Sequence, residues 1–366
     1  MITNKYIKNG ICSFTEWDPL EEVLLGDPLG AMKPGEMSVF DAVIPPVYSH
    51  VLDGIFPNGS TRYPQDLIDN ARKEVRELRT ILEGEGVKVN VAEPIDFSQS
   101  LKTPNWEVSH QFCSSNPRDS LLIIGDLIIE APMADRSRYF ETFAYRNALK
   151  DFGKRGAKWI SAPKPILSDK SFTSNLDRDP IDGHPTTWLI TEEEILFDAA
   201  DFMKFGKDIL VSKSHVTNDA GISWVKSIIE PEFTVHVIET KNPYAMHLDD
   251  TIMPLGQGRL IYSPDYLDPA ALPTIFSSWE IIEAPPVVIS EKNRLGKLSG
   301  WLNINMLSLD ENRILVETNQ DHTINFLKRL GMQPILCDFE NYFPFVGSFH
   351  CASLDVRRLG DLRSCF

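Results

Sequence analysis

The sequence predicts an α/β protein closed into a ring of five similar units. Three observations carry this reading. A pair of short apolar runs, a segment of helical period and a further apolar run recur four times in order. Turn residues join the paired runs at the same place in several of the units. A fifth unit can be completed only by bringing the two chain ends together, which closes the ring and removes exposed strand edges. An open α/β domain with ordinary hairpins is the competing reading of the same runs.

In the first unit, residues 120–124 and 127–131 are joined by Gly125-Asp126, a strong hairpin signal. Residues 139–153 follow, with Phe140, Phe143, Ala144, Leu149 and Phe152 at helical spacing, then a strand over 157–161. The second unit pairs 188–191 with 194–198, followed by a helix over 218–229 and a strand over 233–238. The third joins 251–255 to 259–263 through Gly256-Gln257-Gly258, with a helix over 270–278 and a strand over 280–284. The fourth joins 304–309 to 313–318 through Asp310-Glu311-Asn312, with a helix over 323–330 and a strand over 334–339. The closing unit pairs 349–356 with 22–26, followed by a helix over 67–83 and a strand over 88–92. Gly84 and Gly86 suit the end of that helix. Two long segments, 29–63 and 162–187, show no clear element, and loops of that length in compact domains often carry function.

The 366 residues read as a single domain, since the repeat outweighs the two or three domains that length alone would allow. A formal charge of −16 argues against nucleic acid or an anionic membrane as partner, because both need a basic surface. Five cysteines at wide spacing, with no CxxC pair, suggest neither a zinc site nor a disulfide framework. Residues 1–14 lack the long apolar core of a signal peptide, and no run of about 18 apolar residues exists to span a bilayer. The expected compartment is the cytoplasm, where a free thiolate survives.

The polar candidates fall at matching places. Asp119 precedes the first hairpin and Asp198 ends the second. His247 and Asp249 precede the third, Ser299 precedes the fourth, and Cys351 starts the closing strand. The two ends of a hairpin lie together, away from its turn, so all six gather on one rim. Each also has a plainer role: Cys351 as a small buried hydrophobe, Asp198 as a helix cap, Asp119 as a turn residue, His247 as a satisfied loop histidine. His350 beside Cys351 invites a metal, but adjacent strand residues point to opposite faces. A thiolate needs a proton-transfer partner, and that partner a carboxylate to orient it. A cluster of further carboxylates is what a planar, permanently cationic guanidinium needs. The residues therefore point to guanidine-group chemistry by a cysteine.

The chain resembles the amidinotransferases, which include glycine amidinotransferase, the inosamine-phosphate enzymes and the cyanobacterial toxin-pathway enzymes. The resemblance runs through Glu16-Trp17-Asp18-Pro19-Leu20-Glu21-Glu22-Val23, Asn116-Pro117-Arg118-Asp119 and Ile129-Glu130-Ala131-Pro132-Met133-Ala134. It continues in Gly156-Ala157-Lys158-Trp159, Ala162-Pro163-Lys164-Pro165 and Phe197-Asp198-Ala199-Ala200-Asp201. Met246-His247-Leu248-Asp249 and Phe349-His350-Cys351 complete it. It implies the five-bladed α/β propeller of the pentein superfamily, with Cys351 as nucleophile, His247 as acid and base, and Asp198 as its support. It also implies Asp119 and Asp249 as the guanidinium clamp, and Met246 and Ser299 as substrate contacts. L-Arginine would be the donor, a small primary amine the acceptor and ornithine the first product, with no metal and no organic cofactor.

Two positions depart from the glycine enzyme: Tyr266 stands where it has an arginine associated with the donor carboxylate, and Leu298-Ser299 where it has two serines. Both leave the acceptor open. A hydrolytic pentein, arginine deiminase or dihydrolase, and an inactive guanidine-binding propeller are the alternatives. The sequence does not set the oligomeric state, and a homodimer is compatible with it.

Overall fold

The computed structural model describes residues 10–35, 42–45, 48, 50–174, 176, 187–241 and 244–366. Its strands in chain order are β1 Leu20–Leu25, β2 Lys88–Val91, β3 Leu101–Lys102, β4 Glu107–Val108, β5 Leu121–Ile124, β6 Leu127–Glu130, β7 Lys158–Ser161, β8 Phe202–Phe205 and β9 Asp208–Ser212. They continue with β10 Thr234–Ile238, β11 Ile252–Pro254, β12 Arg259–Tyr262, β13 Glu280–Glu283, β14 Leu307–Ser308, β15 Arg313–Glu317, β16 Gln333–Cys337 and β17 Ser353–Arg358. The longer helices are α1 Gln65–Gly84, α2 Arg146–Lys154, α3 Asp219–Ile229 and α4 Asp321–Arg329.

Five three-stranded sheets share one plan, in which the first strand is antiparallel to the second and the second parallel to the third. The parallel step needs a crossover, which the helices supply. In the unit that joins the chain ends, β17 pairs antiparallel with β1, and β1 pairs parallel with β2. Alternate side chains of each central hairpin then bury against opposite neighbours. Leu121 and Ile123 join Leu24 and Leu354 of the closing unit, whereas Leu122 and Ile124 join Phe202 and Ile209 of the next. Met203 and Leu210 pack on Ile252 and Leu260, and Met253 and Ile261 on Ile314 and Val316. Leu307 and Leu315 return to Val23 and Leu25. Five interfaces thus close a ring of five blades.

Helix α1 shows why the closing unit holds. Leu67, Ile68, Ala71, Val75, Leu78 and Leu82 are buried at helical spacing, and the helix follows Pro64 and stops before Gly86, whose φ is +86°. The segment before β1 ties several blades together. Cys12 bridges Arg357, Ser13 bridges the hairpin turn at Gly125, and Thr15 bridges Phe205 beside the next turn. Residues 12–15 therefore run along the turn ends of the blades, away from the rim carrying the candidate residues.

Three expectations need correction. The second hairpin is β8–β9, not 188–191 with 194–198, and Asp198 precedes it instead of ending it. The true hairpin is masked in the sequence by Lys204, a buried lysine in the apolar run, which Glu16 neutralises at 3.1 Å. The stretch 270–278 forms two 3₁₀ turns, Pro269–Ala271 and Thr274–Ser278, because Pro273 lacks an amide hydrogen to continue a helix. The stretch 139–153 splits into a 3₁₀ turn, Glu141–Tyr145, and the shorter α2. Among the described residues, no helix is long and apolar enough to cross a membrane.

Candidate active site

Short helical turns immediately before the first strand of a blade present the candidate side chains. Asp119 lies in the turn Pro117–Ser120, Asp198 precedes Ala199–Asp201, and His247 precedes Leu248–Asp250, which contains Asp249. Cys351 sits in the turn before β17, where Ala352 N–H donates to the Ser348 carbonyl at 2.8 Å. Gly347 is required beside it: a Cβ there would stand 2.7 Å from Cys351 Cβ and 2.6 Å from Asn116 Oδ1.

These residues meet. His247 Nε2 lies 3.1 Å from Asp198 Oδ2, and its Nδ1 3.7 Å from Asp119 Oδ1. Cys351 Sγ lies 3.4 Å from Asp249 Oδ2, which also accepts from His350 Nδ1 at 2.7 Å. His247, Asp249 and Asp250 each offer an atom within 4.8 Å of the others, as do Asp119, Asp198 and His247. All are buried. Met246 lines the cavity above Asp119 and Asp198. Ser299 belongs to the turn Gly296–Ser299, and its side chain lies outside the described residues.

Several residues that sequence reasoning did not single out complete the arrangement. Arg138 is buried with Nη1 2.9 Å from Asp119 Oδ2 and its other nitrogens on Glu141 at 2.6 and 2.8 Å. Below Asp249, His350 Nε2 reaches Glu16 Oε2 at 3.4 Å, and Arg118 joins Glu16 to Asp355 at 3.2 and 2.7 Å. Asn305 touches Cys351 directly. The signal that could have found it is the repeat itself. Asp119, Asp250, Asn305 and Cys351 each stand two residues before the first strand of their blades.

The electrostatics favour a bound cation. Asp119 Oδ1, Asp198 Oδ1 and Asp249 Oδ1 are buried without a hydrogen-bond partner among the described residues, an unfavourable state unless a donor arrives. Burial pushes Asp119 up, partly offset by His247 and Arg138. Burial, then the charge of Asp249, pushes Asp250 far above the usual carboxylate range. Asp249 stays low because, against burial, His350 donates to it and His350, His247 and Arg118 lend positive charge. Burial disfavours the His247 imidazolium, but the charge of Asp119, the hydrogen bond to Asp198 and the charges of Asp201 and Asp198 hold it well above its usual range. Burial, then Asp249, Asp250 and Asp119, raises the Cys351 thiol, with Asn305 pulling it down. The acids could hold a metal ion by spacing alone, but an imidazolium and the Arg138 guanidinium already stand among them. The open oxygens suit a planar donor of several N–H groups.

Above this inner space lies an outer cavity of about 240 Å³, lined among others by Ile44, Tyr48, Asp250, Tyr266, Lys297 and Trp301. Met246 and Val346 line both spaces and form the neck between them. Val346 has φ +64°, a strained value for a β-branched residue, and Asn116 Nδ2 donates to its carbonyl at 2.9 Å.

The ring with a cysteine, a histidine and paired acids on one rim defines a pentein-type protein. A solved dimethylarginine dimethylaminohydrolase from Pseudomonas aeruginosa shares the fold, with a TM-score of 0.58 at 15% identity over 92% of this chain and 99% of that one. No family model matches the sequence. An L-arginine:L-lysine amidinotransferase of Pseudomonas savastanoi pv. phaseolicola is 42% identical over 354 residues, 97% of this chain and 96% of that protein. The solved structure of SxtG, an amidinotransferase of the saxitoxin biosynthetic pathway of Microseira wollei, superposes with a TM-score of 0.91 at 45% identity, covering 97% of this chain and 99% of that one. The chain belongs to the amidinotransferase family, and it is an enzyme of that class.

Proposed function

We propose that the whole chain acts as one domain that moves the amidino group of L-arginine to an acceptor primary amine through an amidino-Cys351 intermediate. The observation that carries this reading is the set of unpartnered oxygens of Asp119, Asp198 and Asp249 around His247, with Cys351 Sγ on Asp249. A guanidinium between Asp119 and Asp249 supplies the missing donors. Burial, then the carboxylates, holds the Cys351 thiol up; the donor's charge offsets the carboxylates, so its binding favours the thiolate, with the thiol proton released to solvent. Sulfur then attacks the guanidine carbon, forming the S–C bond. The C–N bond to the ornithine side breaks, and the leaving nitrogen takes a proton from the His247 imidazolium, which Asp198 orients. In the second half an acceptor amine gives its proton to His247 and attacks the amidino carbon. The C–S bond breaks and the thiolate returns. One residue serves as acid and then base, and the kinetics are ping-pong.

The outer cavity is the proposed seat of the parts that distinguish donor and acceptor. Lys297, the cation among its lining residues, takes the donor carboxylate where Tyr266 replaces the family arginine. Its apolar and aromatic walls, with Asp250 and Asp265, suit an amine carried on an aliphatic chain with a polar end. Parts of the loop 29–63 (Val43, Ile44, Pro45 and Tyr48) line it and would select the acceptor, although residues 36–41, 46, 47 and 49 lie outside the described set. Five free, buried cysteines suit a reducing cytoplasm. A homodimer is tested by the mass of the protein in solution.

The decisive experiment incubates purified protein with labelled arginine and a panel of primary amines, read by mass spectrometry. Ornithine, a new guanidine and, without acceptor, an adduct on Cys351 are expected. Citrulline and ammonia would instead identify a hydrolase, and an adduct on Cys113 or Cys337 would falsify the nucleophile.

A further inference from the structure

We infer that Asn305 is a further catalytic residue of the amidino-transfer reaction proposed above. Its amide N–H binds the Cys351 sulfur while its carbonyl fixes the Cys351 backbone. The geometry is specific. Asn305 Nδ2 lies 3.0 Å from Cys351 Sγ, and Asn305 Oδ1 accepts from the amides of Cys351 at 3.2 Å and Ser348 at 3.1 Å. The orientation of the amide follows from chemistry. Backbone N–H groups only donate, so the oxygen must face Ser348 and Cys351, and the NH₂ must face sulfur.

A residue with only a structural task would end there. Here Nδ2 also stands 3.2 Å from Asp250 Oδ1 and 3.4 Å from the Asp249 carbonyl, so its two hydrogens are shared among three acceptors, with sulfur the nearest. Sulfur is the acceptor whose charge changes during the reaction. A hydrogen bond to an ionised group is about twice as strong as one to a neutral group. The contact therefore strengthens as the resting thiol becomes the thiolate, which raises the fraction of Cys351 in the form that attacks, and it weakens again once the S–C bond is made. Asn305 neither gives nor takes a proton: the thiolate supplies the electron pair for the S–C bond, and His247 handles the proton of the leaving amine. The charged groups that act on the sulfur are the carboxylates of Asp249, Asp250 and Asp119, and the Tyr342 phenol is near enough to feel its charge. Among the largest influences on the thiol, Asn305 is the one that favours the thiolate. Asn305 is fully buried, two residues before β14, in the blade whose predicted contribution was Ser299.

The test uses the full chain with Asn305→Ala and Asn305→Asp. The second keeps a carbonyl-type acceptor for Ser348 and Cys351, so it holds the local backbone if the first does not fold. Two rates are read: alkylation of Cys351 by iodoacetamide across pH, site-resolved by mass spectrometry, and single-turnover formation of amidino-Cys351 from arginine. In Asn305→Ala the alkylation midpoint should move up by about one pH unit, and adduct formation should slow roughly tenfold at saturating arginine. Asn305→Asp should move the midpoint further, because it adds a carboxylate beside sulfur. In Asn305→Ala, half-saturation for arginine should stay within about twofold. Midpoints at the wild-type value, even with slowed turnover, would overturn the inference and leave Asn305 a backbone clamp. Absence of any amidino-Cys351 in the wild-type protein would instead overturn the proposed reaction, and the alkylation profiles would still decide whether Asn305 holds the thiolate.

Discussion

Replacing Asp198 by asparagine separates the support of His247 from the donor clamp. The carboxylate lies 3.1 Å from His247 Nε2, buried, with Arg138 Nη1 3.7 Å away. Arg138 keeps Asp119 and Glu141 as partners in the variant, so no unpaired cation is created. Asparagine can still present an oxygen to His247, so the lost quantity is the charge. A hydrogen bond to a charged group is worth about 1.5–3 kcal/mol and a neutral one about 0.5–1.5, a difference of about 1–2 kcal/mol. That predicts a loss of roughly 5- to 30-fold in the rate of amidino-Cys351 formation, below the ~10⁴-fold ceiling of general acid–base catalysis. The sign for pH follows. Asp198 helps hold the His247 imidazolium above its usual range, so the variant should lose its acid at lower pH, and the alkaline limb of the single-turnover profile should move down. Arginine binding, measured by calorimetry, should change little. Weakened binding with an unchanged single-turnover rate would place Asp198 in the clamp and refute this division of labour.

Asp249→Asn should weaken arginine binding by about 2–5 kcal/mol, roughly 30- to 5,000-fold. It should also speed Cys351 alkylation at neutral pH, since the charge of Asp249 holds the thiol up; normal arginine affinity would remove Asp249 from the clamp. Tyr48→Ala should reorder the accepted amines while adduct formation from arginine stays within roughly tenfold, about 1.4 kcal/mol. Equal losses in both half-reactions would make the loop a general lid. Far from the site, burial pushes Glu317 up to about 8 and Glu74 to about 7. The folded carboxyls keep protons that the unfolded chain releases near 4.5, so stability should fall as pH rises from there toward about 8. Glu317→Gln should raise Tm at pH 8.5 and leave it nearly unchanged at pH 4, and an equal change at both would show no such linkage.

Much of the ring was legible because each blade repeats a hydrophobic pattern of period two followed by one of helical period. Gly125 and Gly256-Gln257-Gly258 mark real hairpins. The pattern failed where tertiary contacts overrode it. Lys204 looks wrong for a buried strand until Glu16 arrives from a segment 188 positions away. The helix expected over 270–278 was lost to a single Pro273, a local signal left unused.

The sequence by itself determined the number of blades, the closure through both chain ends and the motifs carrying Cys351, His247, Asp198, Asp119 and Asp249. Side-chain alternation and motif order are properties of the chain read along its length. The tertiary structure alone decided which groups touch. The Arg138 guanidinium against Asp119, the His350–Glu16 link beneath Asp249, and the Asn305 amide on a sulfur 46 positions away are contacts between segments far apart in sequence or on different strands and turns. Such contacts depend on burial and on distances of about 3 Å, where charge and hydrogen bonding act strongly. No spacing along the sequence encodes them.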